Sequence, residues 1–358
     1  MAQPIFWLAL SGGVDSAVAG WLLKKRGVRL VGVFMKNYAE DTGGFCPWRE
    51  DQASAEAVAK FLDIPFQSVN FERQYRARVL DIFYAEYAAG LTPNPDILCN
   101  REIKFSLFAD AARAAGAAGI ITGHYARIAH RGDRTLLLHA RDQSKDQSYF
   151  LSLLNEEQLS FAQFPLGSWT KERVRTLAKK IGLPNAERPD SQGICFIGER
   201  NITEFLQQRI APTPGPIVSL NGEYLGEHQG LPFYTVGQRS GIGVASPEPL
   251  YVSAKHLESN TLVMAPRSKP EILLRPSLVG APVHWINGQP TRQRFRASIR
   301  IRHLQPFQQA TVVLKPGHSV QIDFDEPQRA ITPGQYAMIS QRQTVLGAAK
   351  IVSPIPAW

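Results

Sequence analysis

The hexapeptide Ser11-Gly12-Gly13-Val14-Asp15-Ser16 decides the fold. It follows an apolar run at 5–10 and opens a helical pattern at 15–26, where Val18, Trp21 and Leu22 share a face and Gly27 gives a stop. A glycine-rich turn between a buried strand and a helix is a phosphate cradle. Its glycines let the backbone approach an anion, and the helix start offers free N–H groups and partial positive charge. Ser11 and Ser16 add hydroxyl donors. Asp15 is out of place beside a phosphate unless a cation intervenes, which points to Mg2+ at Asp15. The loop matches neither GxxxxGK[ST] nor GxGxxG. A plain capped turn accounts for two glycines and one polar residue, but not for all six positions.

Further strands at 30–34, 66–69 and 119–122 alternate with helical patterns at 50–62, 73–89 and 102–115. This rhythm predicts an α/β fold with a parallel, doubly wound sheet covered on both faces, and ligands at the carboxyl ends of its strands. After residue 126 the rhythm breaks. Residues 127–141 read as a hairpin around Arg131-Gly132-Asp133, and Thr170 caps a helix over 171–181 that Gly182 and Pro184 end. Pro212-Thr213-Pro214-Gly215-Pro216 reads as a linker. Beyond it, an Asn221-Gly222 turn and short strands at 297–303, 310–314, 320–324, 335–339 and 345–352 predict a small barrel. The expected organisation is a catalytic domain over 1–200, a small, mostly β central domain over 201–273 and a C-terminal β-barrel over 274–358.

No apolar run approaches the roughly 18–20 residues of a membrane span. The chain enters its first strand almost at once, so no signal peptide and a cytoplasmic location are expected. Three cysteines in 358 residues exclude a disulfide scaffold and a four-cysteine zinc site. From Glu271 onward ten Lys/Arg face four Asp/Glu, so +6 of the net +9 lies in the last quarter. Five arginines fall between Arg292 and Arg302. A solvated strand face and a polyanion-binding face fit this equally.

Cys99 lies in Thr92-Pro-Asn-Pro-Asp-Ile-Leu-Cys-Asn100, read as a loop because of its two prolines, just before the helix at 102. A thiol near a helix N-terminus has its thiolate favoured. Asp96, three residues earlier, can trade protons with a substrate. Cys195 lies in Asp190-Ser-Gln-Gly-Ile-Cys-Phe-Ile-Gly198, and Cys46 in Thr42-Gly-Gly-Phe-Cys46. A single cysteine is ordinarily an inert small hydrophobe. That reading is preferred for Cys46; loop placement alone leaves Cys99 and Cys195 open between inert and reactive.

The loop at 11–16 resembles the PP-loop of ATP pyrophosphatases, which implies adenylation of a carbonyl oxygen and later displacement of AMP. The segments Asn94-Pro-Asp-Ile-Leu-Cys-Asn100, Gly123-His-Tyr125, Lys145-Asp-Gln-Ser-Tyr-Phe-Leu151, Ser191-Gln-Gly-Ile-Cys-Phe-Ile-Gly-Glu199 and Tyr234-Thr-Val-Gly-Gln-Arg239 resemble the tRNA-specific 2-thiouridylase family, in its order and over nearly the whole chain. The resemblance implies ATP and Mg2+, a tRNA carrying a wobble uridine, a sulfur-relay protein that donates persulfide sulfur, and sulfur insertion at C2. It assigns ATP contacts to Ala9, Leu10, Ser11, Gly12, Gly13, Val14, Asp15, Ser16, Met35 and Gly123. Cys99 matches the first catalytic cysteine, Cys195 the persulfide carrier and Asp96 the acid/base. Asn94, Pro95 and Asp96 match the surroundings of the target base. His124, Lys145, Asp146, Gln147, Arg302, His303 and Gln335 match tRNA contacts. The chain departs from the family pattern at Tyr38-Ala39, where Trp and more acids are usual, and at His303-Leu304, where Tyr and a basic residue are common. Two rival readings are a PP-loop ligase that amidates a small metabolite and a non-catalytic RNA-binding protein with a degenerate nucleotide domain.

Overall fold

The computed structural model describes residues 3–39, 47–190, 193–195, 197, 198 and 201–355. Cys46 lies outside them, as do Ser191, Gln192, Phe196 and Glu199 of the second cysteine motif. Strands β1 (Ile5–Ala9), β2 (Arg29–Lys36), β3 (Phe66–Asn70) and β4 (Gly119–Ile121) are parallel, with β1 between β2 and β4. Next come β5 (Arg127–Arg131) and β6 (Arg134–Leu138), the hairpin expected around Gly132. The chain then returns to the sheet with β7 (Ala162–Gln163), giving the order β3-β2-β1-β4-β7. The sheet is doubly wound, and its order reverses between β1 and β4. The crevice at that switch point is where such sheets bind ligands.

Apolar side chains on both sheet faces form separate clusters. One contains Trp7, Val33 and Ile120 with Phe105 and Phe108, and the other Leu8, Leu10 and Phe34 with Val18 and Leu22. The helix Lys171–Lys180 starts where expected, with Thr170 accepting from the Arg173 N–H.

Two local expectations are corrected. Residues 95–99 are helix, not loop: Asn94 caps Pro95–Cys99 by accepting from the Ile97 N–H, and Pro95 occupies the first turn. Proline there gives up only an N–H that a helix start leaves unused, so it opens the helix instead of breaking it. The helix continues through π-helical turns at Asn100–Leu107 into Phe108–Ala114, and a second π-helical stretch, Arg76–Leu80, interrupts the helix expected at 73–89.

The proposed linker is half strand. β8 (Gly215–Ser219) includes Gly215 and Pro216 and pairs with β9 (Tyr224–His228) across the expected turn. With β10 (Leu250–His256) and β11 (Thr261–Pro266) they make a four-stranded mixed sheet. Its residues Ile217, Val252 and Met264 share one apolar cluster with Tyr75, Phe83, Cys99 and Ile103 of the helices that flank the parallel sheet.

The last six strands are β12 (Leu274–Trp285), β13 (Arg294–Arg300), β14 (Gln308–Lys315), β15 (Ser319–Arg329), β16 (Tyr336–Gln341) and β17 (Thr344–Ile355). They close a ring in the order β12-β15-β14-β13-β16-β17, with β17 pairing back to β12. The long β12 escaped sequence reading, because Pro276, Gly280 and Pro282 interrupt its alternation. The hairpin β5–β6 belongs to this sheet, since β6 pairs with the start of β17.

Asp146 and Arg300 meet where hairpin, sheet and barrel join. Asp146 is fully buried and Arg300 nearly so, with Arg300 Nη1 2.9 Å from Asp146 Oδ2. The same carboxylate accepts from the Ala140 N–H, the Ser148 N–H and the Ser148 hydroxyl. Burial works to raise its pKa, but hydrogen bonds led by His139 and Ala140 outweigh it and hold the group below the ordinary carboxylate range. Its contribution to stability is therefore present at neutral pH and is lost as pH falls through that range toward the lower folded value. Asp146→Ala strands a buried guanidinium and should cost about 3–5 kcal/mol, read as a fall in the urea midpoint. Asp146→Ala combined with Arg300→Met should recover most of the loss.

Candidate active site

The loop after β1 is shaped by its glycines. Gly12 adopts φ +81°, and a Cβ there would collide with the Asp51 carbonyl. The Gly12 carbonyl is pinned by the Ser54 hydroxyl and Asn185 Nδ2, each at 2.8 Å, and by Arg188. The Ser16 hydroxyl donates to the Gly13 carbonyl at 3.0 Å, and the Ser11 hydroxyl lies 3.3 Å from it. No side chain caps the helix Val14–Lys24, whose N-cap is Gly13, so its first N–H groups face the crevice as anion donors. Gly123, just past β4, touches this helix start. A Cβ there would come 2.7 Å from the Ser16 nitrogen and 2.8 Å from the Asp15 carbonyl carbon.

Asp15 has a partner other than the one sequence reading gave it. Lys171 Nζ sits 2.8 Å from both its carboxylate oxygens, and the Tyr125 hydroxyl donates to Oδ1 at 2.9 Å. Lys171 also bridges to Asp190 at 2.7 Å, and Arg175 and Lys145 complete the network around Asp190. Although burial opposes it, Lys171 leads the groups that hold the Asp190 pKa down to about 2. The cation that Asp15 requires is thus an ammonium. Among the described residues no three His, Cys, Asp or Glu side chains gather into a metal site. Asp15 therefore meets the Lys171 ammonium at the place where Mg2+ was expected.

The second cluster surrounds the two cysteines. They are 96 positions apart, yet Cys195 packs against the apolar cluster that contains Cys99, and both are free. The neighbouring Cys99, burial and the Asp96 carboxylate push the Cys195 thiol well up, while Lys104 pulls it down. Lys104 Nζ lies 3.6 Å from Cys195 Sγ. The Cys195 backbone is held from both sides: Asp96 Oδ1 accepts its N–H at 2.9 Å, and the Tyr75 hydroxyl donates to its carbonyl at 2.8 Å. A cavity of about 300 Å³ opens beside the pair, lined by Pro93, Asn94, Pro95, Asp96, Gly193, Ile194, Gly198 and Ile202. The two clusters touch through His124. Its neighbour Gly123 abuts Ser16, and its own pKa is driven well down by burial and by the charge of Lys104.

Family models match the chain over 5–199 (tRNA methyl transferase HUP domain), 203–266 (tRNA methyl transferase PRC-barrel domain) and 275–351 (aminomethyltransferase beta-barrel domain). The chain is 45% identical over 354 residues to the tRNA-specific 2-thiouridylase MnmA of Nitrosomonas eutropha, covering 97% of this chain and 98% of that one. The chain belongs to the tRNA-specific 2-thiouridylase family. The MnmA 1 protein of Geobacillus kaustophilus is 44% identical over 349 residues, 96% of this chain and 94% of that one. A solved 4-thiouridine synthetase–RNA complex with bound ATP aligns at 19% identity and TM-score 0.34, over 57% of this chain and 50% of that one.

Of the family positions expected at the nucleotide, Ala9, Leu10 and Val14 are buried in the sheet and helix around the loop, and Met35 is core at the end of β2. Asn94, Pro95 and Asp96 line the cavity, and Asp96 reaches from it to the Cys195 N–H.

The tRNA positions divide. Lys145 is exposed, and it pairs with Asp190 at 3.2 Å. Asp146 is corrected: fully buried on Arg300, it offers tRNA no surface. Gln147 spends its side-chain oxygen on the Tyr125 N–H, and Gln335 spends its amide on the Thr92 and Pro93 carbonyls. Arg302 is half-buried on the Ala330 carbonyl. His303 packs on Phe150, ring centroids 4.3 Å apart. Burial, with help from Arg300, lowers its pKa to about 4, so it is neutral at pH 7 and brings tRNA no charge. His124 is likewise neutral, with Nδ1 2.8 Å from the Thr122 hydroxyl. Of the five arginines at 292–302, Arg292, Arg294 and Arg296 are exposed, and Arg296 pairs with Asp325.

Lys104, Tyr75, Lys171 and Asp190 escaped sequence reading. Only Lys104 left a signal: a lysine between Ile103 and Phe105, both fully buried, stands on a helix face where cations are rare. Because the two thiols meet in one cluster, mild oxidation with diamide should form one intramolecular disulfide. Peptide mapping should find Cys99 joined to Cys195, and a map with both thiols still free after oxidation would contradict this geometry.

Proposed function

We propose that this chain is an ATP-dependent tRNA 2-thiouridylase that converts the wobble uridine to 2-thiouridine, with release of AMP and pyrophosphate. The observation that carries the reading is the approach of Cys99 and Cys195 within one apolar cluster, with Lys104 Nζ 3.6 Å from Cys195 Sγ and Asp96 on the Cys195 N–H. An amidating ligase has no use for such a pair, and a non-catalytic RNA binder has no use for the intact loop.

ATP is the nucleotide, its phosphates on the loop amides and the start of Val14–Lys24. The uridine leaves its stack to reach the site. Its O2 attacks the α-phosphorus, the N3 proton passes to Asp96, and pyrophosphate departs. Asp96 Oδ1 accepts the Cys195 N–H, and the second oxygen of the carboxylate takes this proton. Before transfer, the Cys195 thiolate attacks the outer sulfur of a persulfide on the relay protein, which leaves as a thiolate. The resulting Cys195 perthiolate attacks C2, and AMP leaves with the C2–O bonding pair. The Cys99 thiolate then attacks Cys195 Sγ. The S–S bond breaks toward the base, N3 regains a proton, and a Cys99–Cys195 disulfide remains for a dithiol to reduce. If Cys99 attacks first, hydrogen sulfide is released and adds to C2, and the same disulfide results.

The tRNA backbone would lie on Lys145 and the exposed barrel arginines, mainly through phosphates, with salt-dependent affinity. Among the described residues no helix is long and apolar enough to cross a membrane, and a cytoplasmic site of action fits a tRNA substrate.

Cys195→Ser should abolish 2-thiouridine formation while tRNA-dependent ATP–pyrophosphate exchange persists. Nucleoside mass spectrometry and the exchange assay check the two halves. Normal thiolation by this variant, given a persulfide donor, would overturn the reading.

A further inference from the structure

We propose that Lys104 is a further catalytic residue, whose ammonium carries the negative charge on sulfur at Cys195 during sulfur loading and transfer. The inference deepens the thiouridylase reading and rests on it. Three observations point the same way. The Lys104 Nζ to Cys195 Sγ distance is 3.6 Å, the contact range of an N–H···S bond. Lys104 is flanked by the fully buried Ile103 and Phe105, so its charge stands at the edge of an apolar cluster. Burial works to neutralise it, but Cys195, Cys99 and Asp96 outweigh burial and keep the ammonium charged.

The helix is built to make this contact. Lys104 follows Cys99 by five residues. At 3.6 residues per turn those positions would stand about 140° apart on an α-helix. The stretch Asn100–Leu107 is π-helical, with i→i+5 bonding, and its wider turns bring position 104 back toward the Cys99 face. Such turns cost helix quality and gather at functional sites.

The chemistry needs a cation at this place. Loading forms an S–S bond as the Cys195 thiolate attacks the donor's outer sulfur, and the donor thiolate carries the bonding pair away. The charge then rests on the terminal sulfur, one S–S bond of about 2.05 Å beyond Sγ. It passes to AMP when that sulfur attacks C2. Cys99 next attacks Sγ as a thiolate, and the S–S pair ends on the base. Sγ, the atom on which this charge forms and which Cys99 attacks, lies 3.6 Å from Nζ, where low dielectric makes a preorganised charge most effective.

Lys104→Met keeps the stem and removes the charge, Lys104→Gln is a second uncharged variant, and Lys104→Arg keeps a cation. Enzyme loaded with inorganic polysulfide is followed through a single turnover on tRNA, beside tRNA-dependent ATP–pyrophosphate exchange. Sulfur transfer should fall at least about 10-fold in Lys104→Met and Lys104→Gln, with exchange within about two-fold, and Lys104→Arg should retain more transfer than either. In a Cys99→Ser background, the pH midpoint for iodoacetamide alkylation of Cys195 should move up by about one unit or more without Lys104. Unchanged transfer, equal loss of transfer and exchange, or an unmoved midpoint would each overturn the assignment. Cys195→Ser separates the two levels: if it thiolates, the enzyme reading fails, whereas if it is inactive and Lys104→Met is not, only the role of Lys104 fails.

Discussion

The buried pair of Asp146 and Arg300 is the contact from which the site hangs. A charge pair at that depth is tolerable only if desolvation is offset by further bonds, and Asp146 has them from Ala140 and Ser148. The segment carrying Asp146 then reaches in three directions. Gln147 fixes Tyr125, whose hydroxyl meets Asp15 of the phosphate loop. The Tyr149 hydroxyl donates to the Tyr336 carbonyl in the barrel at 3.0 Å. The Phe150 carbonyl accepts from Asn100, one residue past Cys99. One short stretch therefore sets the spacing between loop, barrel and thiols.

The sulfur site runs against ordinary packing rules. Cys99 is fully buried and shares an apolar cluster with Tyr75 and Ile103, yet a lysine and a carboxylate stand among the same side chains. Local conflicts of this kind are tolerated where function needs them. The Cys195 turn is held here by polar contacts to Asp96, Tyr75 and Lys104, bonds that can be exchanged one for one with a substrate.

Much of this is legible in the sequence. The hexapeptide and the strand–helix rhythm specify the parallel sheet, because glycine needs and hydrophobic period are local properties. The barrel was legible as a set of short strands, but not its closure, since β12 carries two prolines and a glycine and pairs at long range with β15 and β17. The hairpin at 127–138 was visible, whereas its membership of the barrel was not, because sheet partnership is a tertiary property. Chemistry followed the same division. Cys99 and Cys195 stand out in sequence, but the residues that tune them come from other segments. Asp146 looks like a surface contact by motif, yet burial places it inside, while His303 and Gln335 are half-buried, the one against Phe150 and the other on the Thr92 and Pro93 carbonyls.

The turn Thr332-Pro333-Gly334-Gln335 carries one more consequence. Gly334 takes φ +94°, and a Cβ there would stand 2.8 Å from the Thr92 nitrogen, while the Thr92 N–H donates to the Pro333 carbonyl at 3.0 Å. Gln335 grips the next two carbonyls, directly ahead of Asn94. The barrel is thus no interchangeable module. A homologous barrel grafted onto this chain would have to match the backbone at Thr92 to within a fraction of an ångström, so drift in either domain is answerable to the other.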